Sequence, residues 1–206
     1  FEKQGYLIMP NMFDEDRCQL MRAIAEEELH QKAGPLEYEV DVNYPGAPLD
    51  QRSAGAKTVR RVLQAVSRHP EILSAAADSA MCAVIKSLFK SENGLMLSQN
   101  HHNCIMTKDP SFSSDTLWHQ DIRYWSFLED NLISAWIALE PEHGFNGALK
   151  VLPGSHLKNF SLGSFDADLF FRTDFKENEK LLLDELQVTL NPGDVVLVQG
   201  TSEAIN

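Results

Sequence analysis

The pattern of apolar and polar positions divides the chain into two stretches of different period. Gly5-Tyr6-Leu7-Ile8-Met9 is a short apolar run ended by Pro10, which predicts a strand. Asp14 is suited to cap a helix. From there to about His30 the apolar positions Cys18, Met21, Ile24, Ala25 and Leu29 recur at helical spacing. Residues 31–56 hold Gly34, Pro35, Pro45, Gly46, Pro48 and Gly55 and read as an irregular connection, long enough to carry function. A second helix follows Pro70, with Ile72, Leu73, Ala76, Ala80, Ala83, Val84 and Leu88 on one side.

From Gly94 the pattern becomes that of strands. Residues 95–99, 101–107, 132–139, 148–152, 186–190 and 195–198 are short and rich in Val, Ile, Leu and aromatics. Turn chemistry separates them: Asp109-Pro110, Asn146-Gly147, Pro153-Gly154 and Asn191-Pro192-Gly193-Asp194. Helices first and then many short strands predict a mainly β chain with N-terminal helices, an α+β barrel or jelly roll. The charged stretch 159–185 is placed to fold over one end as a lid. No repeat or linker interrupts the chain, so a single domain over 1–206 is expected, with its helical part at about 1–92.

Composition adds limits. In 206 residues, 43% are hydrophobic and 23% charged, the balance of an ordinary globular protein with a sizeable core. A formal charge of -12 repels phosphate backbones and disfavours nucleic acid as a partner. Cys18, Cys82 and Cys104 are scattered and odd in number, so no disulfide framework or zinc spacing follows, and a reducing, cytoplasmic setting is expected. No apolar run reads as long enough to span a membrane and no signal peptide is visible, so no membrane partner is expected.

The candidate chemistry lies at His119-Gln120-Asp121. On an extended segment residues i and i+2 face the same side, so an imidazole and a carboxylate aim together. Two His and one carboxylate with open coordination positions are the donor set of non-haem Fe(II) oxygenases. The spacing alone is unspecific, because a His satisfied by a carboxylate at a strand end gives the same pattern. Alternation along 101–107 places Asn100, His102, Cys104 and Met106 on the face of Lys108. If Lys108 points inward these residues line a pocket, with His102 a polar contact and Met106 packing. Arg123, Tyr124 and Trp125 follow the pair directly. They are candidates to meet a substrate, and a surface Arg with two packed aromatics fits them equally.

Five ordered blocks carry a resemblance. They are Asn103-Cys104-Ile105-Met106-Thr107-Lys108, Leu117-Trp118-His119-Gln120-Asp121, Ser134-Ala135-Trp136-Ile137-Ala138-Leu139, the stretch from Asn146-Gly147-Ala148 through Pro153-Gly154-Ser155-His156, and Pro192-Gly193-Asp194-Val195-Val196. In order and spacing the chain resembles the phytanoyl-CoA dioxygenase family of Fe(II)- and 2-oxoglutarate-dependent oxygenases from residue 1 to about 198. The resemblance implies a double-stranded β-helix of the cupin-like jelly-roll type, iron held by His119 and Asp121, 2-oxoglutarate as co-substrate and O₂ as oxidant. It places Lys108 at a position that contacts 2-oxoglutarate and Trp136 at an aromatic position lining the co-substrate pocket. A solvated lysine at a strand end and a plain core Trp are the structural alternatives. Related halogenases keep the carboxylate position small so that chloride can bind, so Asp121 points to hydroxylation.

The family carries a second metal His shortly after the Pro-Gly-Asp turn, and beyond it an Arg that grips the distal carboxylate of 2-oxoglutarate. Residues 193–206 contain neither residue type. Omitted residues, a truncated chain and a member that has lost metal chemistry are the competing explanations, and the intact His-x-Asp favours the first two. The last barrel strands are likewise expected to be incomplete. Gly200-Thr201-Ser202 matches a Gly-Ser/Thr stretch that the family often places after that His. His143 and His156 fall at turns and are poor substitutes.

The leading expectation is an enzyme that hydroxylates a small-molecule substrate while 2-oxoglutarate is decarboxylated to succinate and CO₂. A non-catalytic jelly-roll binding protein of the same fold and a cupin-like metal hydrolase or isomerase are the rivals.

Overall fold

The computed structural model describes residues 1–90, 92–99, 102–127 and 131–199. Asn100 and Gly200-Thr201-Ser202 therefore lie outside the described residues. In chain order the elements are β1 (Tyr6–Met9), α1 (Glu15–Gln31), β2 (Leu36–Tyr38), β3 (Val59–Leu63), α2 (Ala65–Arg68), α3 (Pro70–Ala76), α4 (Ser79–Phe89), β4 (Cys104–Met106), β5 (Ile133–Ile137), β6 (Lys150–Val151), α5 (Glu179–Leu182), β7 (Leu186–Gln187) and β8 (Val195–Gln199). Short 3-10 turns cover Glu39–Asp41, Asp121–Tyr124 and Ser155–Leu157. The chain forms two compact units, one from Phe1–Asp14 with Thr116–Asn206, the other from Glu15–Asp115.

The first unit is built on β8. Val195, Val196, Leu197 and Val198 are all buried, the near-continuous apolar run of a strand covered on both faces. β8 lies between β1 and β5, antiparallel to both, with Tyr6 opposite Val198 and Trp136 opposite Val196. The Asn191-Pro192-Gly193-Asp194 turn starts it as expected. Gly193 takes φ 88°, and the Asp194 carboxylate accepts from the backbone N–H groups of Asn11 and Asn191, both at 2.8 Å. Val196 and Val198 pack with Ala138, Leu149, Val151, Val188 and Leu190, and each buried valine contributes about 1.5–3 kcal/mol. β6 and β7 form a separate two-stranded ladder. A second cluster joins Trp118, Leu152 and Phe171, flanked by Phe160, Phe165, Leu181 and Leu182. Residues in the stretch expected to act as a lid thus form part of a core.

The second unit carries α1 with Cys18, Met21, Ile24 and Ala25 buried, as the spacing predicts. Its sheet has the order β2-β3-β4. β3, unassigned from sequence, is held by a buried ion pair. Arg60 Nη1 donates to Glu39 Oε1 and Oε2 at 3.3 Å and to Ser114 Oγ at 3.0 Å, and Ser114 donates to Glu39 Oε2 through both N–H (3.1 Å) and Oγ (2.6 Å). Arg60 and Glu39 are 1% and 0% exposed, so each charge depends on the other.

Several expectations need correction. Residues 95–99 form no strand, and the strand expected at 101–107 is confined to Cys104–Met106. The connection expected to be irregular contains β2. The helix expected after Pro70 is two helices, because Asp78 ends one and caps the next, accepting from the N–H groups of Ala80 and Met81. By length and composition Pro70–Phe89 is in fact long and apolar enough for a span, at 20 residues and mean hydropathy 1.5. Asp78 in its middle, 3.2 Å from Arg17, interrupts that stretch with an ion pair.

Candidate functional site

His119 and Asp121 converge. Gln120 between them is extended (φ -118°, ψ 118°) and Asp121 opens the 3-10 turn, which brings His119 Nε2 to 3.4 Å from Asp121 Oδ1. Both are buried, at 9% and 4% exposure. His119 Nδ1 lies 2.8 Å from the Leu117 carbonyl. A carbonyl only accepts, so Nδ1 carries a proton, and in the neutral imidazole the Nε2 lone pair faces the carboxylate. Two acceptors facing each other repel unless a proton or a cation lies between them. Donors each about 2.0–2.2 Å from a metal and at a right angle to one another are about 3 Å apart, so the pair suits a metal's coordination sphere. Among the described residues no third His, Cys, Asp or Glu joins them.

The same turn carries Arg123 and Tyr124. The Arg123 Nε–H donates to Gln120 Oε1 at 2.7 Å, and the guanidinium lies 3.6 Å from the centroid of the Phe165 ring. Burial lowers the Arg123 pKa, against the opposing influence of Tyr124. Tyr124 meets the His119 ring edge-on at 6.0 Å, and its hydroxyl donates to the Asp168 carbonyl at 2.8 Å. Phe160, Phe165 and Phe171 pack edge-on at 5.2–5.5 Å. The Phe171 N–H donates to the Trp118 carbonyl at 2.7 Å, which ties the aromatic trio to the residue before His119.

Trp136 stands on β5 in the same unit, half-buried against the core. Its indole N–H donates to Glu142, 2.8 Å from Oε1 and 3.0 Å from Oε2. Burial raises the Glu142 pKa, partly offset by that hydrogen bond. Glu142 escaped the sequence reading because a carboxylate beside the Asn146-Gly147 turn looks like loop polarity. Phe165 escaped it because no motif marks it, although Phe160, Phe165, Phe170 and Phe171 are an aromatic density that could have signalled packing.

Lys108 and His102 belong to the other unit. Lys108 follows β4, and the preceding Thr107 N–H donates to the Arg60 carbonyl at 3.0 Å. Its side chain is exposed over part of its length. Burial of the remainder, and then the charge of Arg60, lower its pKa, with Asp115 and Glu39 opposing. It lines an open cleft of about 470 Å³ with Lys32, Lys57 and Phe112. The expected alternation does not reach His102, which is exposed, lies outside the strand and has φ 37°. A left-handed residue turns the backbone, so the shared face predicted for residues 100–108 is lost there. His143 and His156 lie at turns, and His156 Nε2 is bonded to the Glu2 carbonyl at 3.0 Å.

Residues 1–202 match the model of the family described as phytanoyl-CoA dioxygenase (PhyH). Ectoine dioxygenase of Stutzerimonas stutzeri (strain A1501) is 28% identical over 163 residues, 76% of this chain and 48% of that protein. The peroxisomal phytanoyl-CoA dioxygenase of Rattus norvegicus is 27% identical over 160 residues, 76% of this chain and 45% of that one. The chain thus spans about half the length of the curated relatives it matches. Among solved structures, EctD from S. alaskensis with 2-oxoglutarate and 5-hydroxyectoine superposes with a TM-score of 0.70 at 20% identity, covering 100% of this chain and 67% of that one. The non-heme alpha ketoglutarate dependent carbocyclase SnoK superposes at 0.67 and 21%, covering 99% and 73%. At such identities the likeness is one of fold.

Proposed function

Since the chain belongs to the phytanoyl-CoA dioxygenase family, we propose that the protein is an Fe(II)- and 2-oxoglutarate-dependent dioxygenase hydroxylating a small organic molecule. The balance is substrate C–H, O₂ and 2-oxoglutarate in, and alcohol, succinate and CO₂ out. The single observation that carries this reading is the convergence of the His119 Nε2 lone pair and the Asp121 carboxylate. Ectoine dioxygenase among the relatives, and 2-oxoglutarate in the EctD structure, support it.

In this reading His119 and Asp121 hold iron, which when bound supplies the oxygen-activating chemistry. The Leu117 carbonyl fixes the imidazole tautomer, and the adjacent Phe160, Phe165 and Phe171 cluster keeps the surroundings dry. Lys108 pairs with a carboxylate of 2-oxoglutarate and Trp136 lines its pocket. Arg123 and Tyr124 face the primary substrate. The family pattern also calls for a second His ligand and a carboxylate-binding Arg, residue types that 193–206 do not contain. The architecture is one double-stranded β-helix domain with helices at its N-terminal end.

The test is anaerobic titration of full-length protein with Fe(II) and 2-oxoglutarate, followed by the weak visible metal-to-ligand band. The band is expected in the parent protein and absent in His119→Ala. A folded parent protein that shows no band and forms no succinate would sink the proposal in favour of a non-catalytic binding protein.

A further inference from the structure

Seven of the chain's eight arginines lie within 3.9 Å of a carboxylate. Arg123 is the exception among the described residues, in a chain with 30 acidic residues against 18 basic ones. Its Nε–H is taken by a neutral amide, Gln120 Oε1, which is itself buried at 3% exposure. One face of its plane lies on Phe165. Phe165 is held by Phe160 and Phe171, and the Phe171 N–H is bonded to the Trp118 carbonyl. The guanidinium is therefore fixed from two sides, to the extended segment that carries His119 and to the turn that carries Asp121. Among the described residues nothing bonds Nη1 or Nη2, the end-on edge of the fork, and the residue is exposed.

From this arrangement we infer that Arg123 reads an oxyanion on the primary substrate, which places that substrate among small organic carboxylates or phosphates. A planar fork with two parallel N–H donors matches either oxyanion bidentately. Stacking on an aromatic ring holds a guanidinium without neutralising it, whereas a carboxylate partner would have cancelled its charge. The neutral Gln120 anchor orients the group and leaves its charge for a ligand. Tyr124, pinned to the Asp168 carbonyl and edge-on to His119, walls the same turn. The inference deepens the dioxygenase reading and rests on it for the word substrate; the oxyanion site itself stands on the geometry of this turn.

The experiment measures binding of three probes, benzoate, phenyl phosphate and benzamide, to iron-free full-length protein by ligand-observed NMR. Benzoate or phenyl phosphate is expected to bind about tenfold or more tightly than benzamide, the range of a charge-assisted hydrogen-bonded pair. Whichever of the two anions binds better identifies the oxyanion. Arg123→Met is expected to erase the preference, and Arg123→Lys to keep only part of it, since an ammonium is a point charge without the fork. Phe165→Leu keeps the charge, removes the platform and is expected to weaken the preference too. Equal binding of benzoate, phenyl phosphate and benzamide by the parent protein overturns the inference, as does a preference unchanged in Arg123→Met. The iron titration stays separate: anion preference through Arg123 without a metal-to-ligand band would refute the dioxygenase reading and leave the oxyanion site standing.

Discussion

Glu142 shows how a single side chain can report on the site. Burial raises its pKa while the Trp136 indole N–H bonded to it pulls the other way. With the folded value raised above the ordinary 4.5, the folded state holds the proton more tightly than the unfolded chain does. Its contribution to stability is full below 4.5 and is lost as pH rises through the raised value. Tryptophan emission of the parent protein is expected to titrate in that window, and Glu142→Gln to flatten the change. The Gln variant should also gain stability relative to the parent as pH rises above 4.5, read by urea unfolding. Identical pH profiles for the two proteins would refute this assignment. At the same scale, His119→Ala removes the imidazole that stands beside Asp121 with Nδ1 bonded to the Leu117 carbonyl, and the charge-transfer titration reads its loss.

At the scale of elements, β3 carries a buried charge pair beside its buried valines, Val59 and Val62. Glu39 sits in the 3-10 turn after β2 and receives Arg60 and Ser114, so one carboxylate joins β3 to the loop that ends at Asp115. Glu39→Ala removes the carboxylate that Arg60 Nη1 donates to, leaves Glu37 at 3.9 Å from Arg60 Nε, and is expected to cost about 3–5 kcal/mol in urea unfolding. The double replacement Glu39→Met with Arg60→Met is expected to recover most of that loss, because no lone charge remains buried. A single variant as stable as the parent would mean that water reaches the pair. The Arg60-Arg61 doublet also explains why β3 went unread. Two adjacent arginines break an alternation of apolar and polar residues, and nothing local to them reveals that Glu39 neutralises one of them.

For the whole molecule, the charge of -12 makes a simple prediction: the 206-residue chain should flow unretained through immobilised duplex DNA at low ionic strength. Retention there would reveal a basic surface that the net charge conceals. Much of the architecture was legible. α1 followed from its spacing, β8 from an unbroken apolar run after a turn, and β5 from Leu, Ile and Trp positions. Residues 95–99 misled because a run such as Leu95-Met96-Leu97 looks like a strand whether or not another strand lies beside it. His102 misled because alternation assumes an extended backbone, and φ 37° breaks it. By itself the sequence determined the family and singled out His119 and Asp121 as a pair, since ordered motifs depend on neighbours along the chain. Only the tertiary structure decided that Nε2 of His119 is the nitrogen facing Asp121, that Glu142 holds Trp136, and that Arg123 rests on Phe165 with no acidic partner among the described residues. Those contacts join residues whose distance in space is set by packing, and packing leaves no local trace in the order of residues.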